Sequence, residues 1–145
     1  MGRYYSGDIE GKFWFAVQDS RDAVNFGGKE TPIYDYDPDT GEPLSEQIGS
    51  NFLFTKEDLP DIDKGLDKCL EILGINKEKI DSFFETRDFY NDKELEEYLE
   101  LEGTEWDKKV YTKAALMIYA RLELGNKIKE CVLETGQCDF DADFY

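Results

Sequence analysis

The stretch Thr104–Leu124, TEWDKKVYTKAALMIYARLEL, decides the fold. Thr104 is a good N-cap, and Glu105 and Asp107 place negative charge in the first turn, where the helix dipole favours it. Trp106, Val110, Ala114 and Met117 recur at helical spacing and predict one apolar stripe, widened by Tyr111, Ala115, Ile118 and Leu122. Ala114–Ala120 (AALMIYA) is apolar almost all round, the pattern of a helix wrapped by other elements. That run is far shorter than the about 20 residues needed to cross a bilayer. Gly125 is expected to end or bend the helix.

Downstream, Asn126–Thr135 predicts a further helical segment with Ile128, Cys131 and Val132 inward and Gly136 as its stop. The last nine residues, QCDFDADFY, alternate strictly. Cys138, Phe140, Ala142 and Phe144 share one face, and Asp139, Asp141 and Asp143 share the other. This predicts a C-terminal strand returning to an N-terminal sheet, with a row of aspartates facing solvent.

Upstream, Lys12–Gln18 (KFWFAVQ) predicts a strand apolar on both faces, with SGDIEG before it as an extension or a turn. Arg21–Phe26 predicts a short helix stopped by Gly27-Gly28, and Thr31–Tyr36 and Asn51–Phe54 predict two more strands. A helix then begins near Leu59, with Pro60 in its first turn and Gly74 after its end. Shorter helices follow from Asn76, and from Asn91 or Asp92. The expectation is a single α+β domain over residues 1–145. A small, mostly antiparallel sheet, made of N-terminal strands plus the C-terminal one, packs on about four helices.

At 145 residues the chain can bury a core without disulfides or metal. Its 34 acids against 17 bases give a formal charge of −17, which repels nucleic acid and anionic membranes and favours a basic partner. Cys69, Cys131 and Cys138 form no CxxC pair, and Met1 runs directly into GRYYSGD. A cytoplasmic protein with reduced thiols and no targeting segment is expected.

Several chemistries are disfavoured. With no histidine there is no Ser-His-Asp triad, no Cys-His pair and no His-ligated metal site. No phosphate-binding loop and no GxGxxG occurs. Asp35–Glu46 (DYDPDTGEPLSE) has acids at positions 1, 3, 5 and 12, as a calcium loop would, but Gly41 is at position 7 and helical flanks are missing. A hairpin turn fits this loop better, with Gly41 in the left-handed position. No catalytic group, cofactor or metal ligand is assigned, and a non-enzyme is expected.

The acidic surface itself remains. Glu85–Asp107 carries ten acids, among them Glu94, Glu97 and Glu100, against only Arg87 and Lys93. Carboxylates at Asp139, Asp141 and Asp143 would stand about 6.8 Å apart along a strand. At that spacing they can occupy a basic groove built for DNA or RNA; an aspartate row can equally guard a strand edge. The candidate contact residues are Asp139, Asp141, Asp143, Glu94, Glu97, Glu100 and Tyr145. Two alternatives stand beside this: an assembly module whose acidity serves solubility only, and a carboxylate-based or metal-dependent small-molecule binder.

The blocks GRYYSGDIEGKFWFAVQ (Gly2–Gln18), YARLELG (Tyr119–Gly125) and ETGQC (Glu134–Cys138) resemble those of a group of small, acidic proteins of bacteriophage and viral metagenomes. The resemblance runs end to end and carries no catalytic residue. It implies a phage setting, the host cytoplasm, and an inhibitor of host defence that engages a basic, nucleic-acid-binding host protein rather than nucleic acid or membrane.

Overall fold

A computed structural model of the chain describes residues 4–12, 18–86 and 92–144. It is the expected α+β fold. The strands are β1 (Tyr4–Gly7), β2 (Gly11–Lys12), β3 (Lys29–Tyr36), β4 (Pro43–Thr55) and β5 (Gln137–Asp143). The helices are α1 (Leu59–Leu73), α2 (Asn76–Glu85), α3 (Asp92–Tyr98) and α4 (Glu105–Thr135). The five strands form one antiparallel sheet in the order β2-β1-β5-β4-β3. Most of the expected strand Lys12–Gln18 lies outside the described residues, as does Tyr145.

The C-terminal strand does return to the sheet, and it enters the middle. β5 pairs with β1 through Tyr5–Ala142 and Gly7–Phe140, and with β4 through Phe52–Phe140 and Phe54–Cys138. Phe52, Phe54 and Phe140 are fully buried and gather against the helices. Asp139, Asp141 and Asp143, one residue out of phase, project from the opposite face. Phe144 follows the strand, half-buried, and donates its backbone N–H to the carbonyl of Ile48 at 3.0 Å.

The helix beginning at Thr104 is capped as expected. Thr104 Oγ1 accepts from the Asp107 amide at 3.1 Å, and Asp107 Oδ2 accepts from the Thr104 amide at 3.4 Å. Its length differs from the expectation: α4 continues for 31 residues through Gly125 and stops at Gly136, which adopts a left-handed φ of 88°. Gly125 is a close-packing site. A Cβ there would lie 2.4 Å from Phe26 Cε1 and 2.7 Å from Leu66 Cδ2. Gly65 on α1 makes the same concession, since its Cβ would lie 2.5 Å from Phe26 Cδ1. The 3-10 turn Asp22–Phe26 therefore wedges one fully buried ring between α1 and α4.

The predicted inward stripe on α4 is correct only downstream. Ala115, Ile118, Leu122, Ile128 and Val132 are buried, whereas Trp106 is 74% exposed and Val110 51%, Tyr111 and Ala114 are exposed too, and Met117 is half-buried. A helix of 31 residues is about 46 Å long, and the seven-residue β5 it crosses spans only about 24 Å. α4 is thus about twice as long as β5, and its first turns, at Trp106 and Val110, are exposed.

Candidate functional site

The candidate site is the open face of the sheet along β5. Across the strands, Ser6 of β1 stands opposite Asp141, and on the other side Asn51 of β4 stands opposite it too. Asn51 Nδ2 donates to Asp139 Oδ1 at 2.7 Å and to Asp141 Oδ1 at 2.9 Å. One amide thus holds two carboxylates of the row in fixed positions and offsets part of their mutual repulsion. Asp8 extends the acidic surface past the end of β1: its Oδ2 accepts from the Asp139 amide at 2.9 Å, and its own N–H donates to the Asp139 carbonyl at 2.9 Å.

This arrangement corrects two expectations. Asp139 is exposed, but Asp141 and Asp143 are half-buried, so the row is tethered rather than freely solvated. An edge-guarding role does not apply, because β5 is paired on both sides. Asn51 and Asp8 were not singled out from the sequence. The available signal was period two in NFLF: burying Phe52 and Phe54 places Asn51 on the aspartate face.

The second acidic group lies elsewhere. Glu94, Glu97 and Glu100, with Tyr98 and Lys79, line an open depression of about 740 Å³ beside α3. Lys79 Nζ donates to the carbonyl of Leu99 at 3.3 Å and anchors the segment after α3 to α2. All three glutamates are exposed. Because α3 packs on α4 and α2, whereas the aspartates point away from the helices, the structure does not join the two groups into one surface.

Charge inside the helical layer is structural. Asp22 is buried and 3.3 Å from Arg121 Nε; burial raises its pKa against the pull of that guanidinium. Asp81 accepts from the Tyr119 hydroxyl and lies 2.6 Å from Lys77 Nζ. Burial alone would raise its pKa, but the Lys77 and Tyr119 hydrogen bonds outweigh that and hold it low. Burial, then the neighbouring Asp81, raises Glu123. The three cysteines are free, and burial together with the nearby Cys131 pushes the Cys138 thiol well up.

Within Asp35–Glu46, residues 37–42 are the hairpin turn between β3 and β4, and the residues on either side belong to those strands. Gly41 takes a φ of 73° there, and its N–H donates to the Asp37 carbonyl at 2.8 Å. Among the described residues, no group of three or more acids or cysteines is placed to hold a metal ion, and no helix is long and apolar enough to cross a membrane. Comparison with protein-family models, curated proteins and solved structures finds no match to this chain.

Proposed function

We propose that this chain is a non-enzymatic inhibitor of phage type, which binds a basic, nucleic-acid-handling host protein through carboxylates and competes there with DNA or RNA. The observation supporting this reading is the Asn51-tethered row on β5. Asp139, Asp141 and Asp143 recur about 6.8 Å apart on one face, and two of them are held in place by a single amide. Nucleic-acid sites bind repeated phosphates with Lys and Arg, and carboxylates fixed in a row meet the same cations. The chain's overall −17 charge adds long-range attraction to a basic partner.

Affinity capture from bacterial lysate, washed first at low and then at high salt, tests the proposal. A basic nucleic-acid-binding protein that leaves in high salt is the expected result. Repeated capture of no such protein would count decisively against it.

A second reading, an assembly module, is favoured by the exposed apolar side chains Ile75, Trp106 and Val110. Apolar contact is not screened by salt, so a partner retained at high salt and lost on Trp106→Ser would select that reading.

A further inference from the structure

The β3–β4 hairpin runs on beyond the sheet. β5 flanks β4 only from Thr55 to Gly49, and β3 is the outermost strand. Past Ile48, whose carbonyl accepts from the Phe144 N–H, residues 34–47 form a two-stranded arm with, among the described residues, no third strand beside it. Between Thr31 and Thr55 the acids are Asp35, Asp37, Asp39, Glu42 and Glu46, and there is no Lys or Arg. The arm also exposes large apolar side chains: Tyr36 at 62%, Leu44 at 45%, and Tyr34 near one-third.

In YDYD (Tyr34–Asp37) ring and carboxylate alternate. Tyr34 and Tyr36 stand two residues apart on β3 with Asp35 between them, and both rings are exposed. Register shifts after Ile33 and after Tyr34 kink the arm and add twist. The tip is internally braced: the Asp37 amide donates to the Glu42 carbonyl at 2.9 Å, and Asp37 Oδ1 accepts from the Asp39 amide at 2.8 Å.

Grooves that bind single-stranded nucleic acid combine cations along the backbone path with aromatic faces on which bases stack. Carboxylates match the first and tyrosine rings the second. A second copy of this chain is the wrong partner, since two surfaces of this charge repel. Sites for duplex DNA offer cations to phosphates but read the edges of bases rather than their faces, leaving the rings no stacking surface. We propose that the arm enters the groove of a protein that binds single-stranded nucleic acid, its carboxylates standing in for phosphates and Tyr34 and Tyr36 for bases. This rests on the reading above that the partner handles nucleic acid, and adds the kind of site that partner has.

The test loads lysate proteins on immobilised oligo(dT) and, separately, on duplex DNA, and uses the purified chain as eluent. The wild-type chain releases protein from oligo(dT). Tyr34→Ser/Tyr36→Ser, which keeps every charge, releases it with at least about tenfold lower potency. Tyr34→Phe/Tyr36→Phe, which keeps the rings, retains the effect. Release from duplex DNA alone, or equal release by the serine variant, overturns the arm's role and leaves the broader reading intact. Release from neither resin overturns both.

Discussion

Replacing Gly125 by alanine sets two opposed effects against each other. In the interior of a helix the change alone stabilises by about 1 kcal/mol, because glycine loses more backbone freedom on folding. Here the new methyl would sit 2.4 and 2.5 Å from Phe26 Cε1 and Cζ and 2.7 Å from Leu66 Cδ2, where carbon atoms prefer about 3.5–4.0 Å. Gly65 also closes on the ring, at Cδ1 and Cε1, and Phe26 is fully buried, so a shift of the ring meets other packed atoms. Overpacking of this kind costs about 1–3 kcal/mol, and these contacts lie at the severe end, so a net loss of about 2 kcal/mol is expected. In a chain of this size that lowers Tm by about 4–8 °C. Phe26→Ala itself should cost about 3–5 kcal/mol through the cavity it leaves, but it removes the clash with the ring and gives the Leu66 methyl room to turn away. In that background Gly125→Ala should become stabilising by about 1 kcal/mol, and a coupling of about 3 kcal/mol between the sites follows. Urea unfolding of the four proteins measures it. Additive effects, or an alanine that stabilises the wild type, would refute the wedge.

Tyr119→Phe removes the hydroxyl that donates to Asp81 and should cost about 1 kcal/mol in urea unfolding, with much of that cost absent when Asp81 is already Asn. Burial raises the pKa of Asp22 in the folded state. The fold therefore binds that proton more readily than the unfolded chain, and stability contributed by Asp22 increases as pH falls through its folded pKa towards the unfolded value of about 3.9. Between neutral pH and about pH 4 the wild type should gain stability relative to Asp22→Asn; a pH-independent difference between their urea midpoints would contradict this. Calcium should leave Tm unchanged, because Asp37 Oδ1 is engaged by the Asp39 amide and Asp35 Oδ1 by the Tyr36 amide; a rise by mass action would restore the cation-loop reading.

Much of the fold was legible where local chemistry and burial agree. Thr104 and Asp107 announce the start of α4, Pro60 and Gly74 bracket α1, and QCDFDADFY carries its own period. Gly125 was misread because a glycine that makes room for a ring looks, in sequence, like one that ends a helix. Only the approach of Phe26 from a turn far upstream distinguishes them. Trp106 and Val110 fit a helical stripe, but periodicity does not show which turns of a long helix the rest of the fold covers. At the candidate site the aspartate row was visible while its tether was not. Asn51 meets Asp139 and Asp141 across a pairing set by register between distant segments. Likewise, charge counting selected both Glu94–Glu100 and the β5 row, and only the packing of α3 on α2 and α4 separates them.

The most direct measurement is the salt dependence of binding to the captured partner, for the wild type and for Asp139→Asn/Asp141→Asn/Asp143→Asn, with the variant's fold checked by circular dichroism. If the row replaces phosphates, the wild-type affinity falls steeply with salt, and the variant binds more weakly with a shallower slope of log affinity against log salt. Equal affinity and slope in the two proteins would contradict the account.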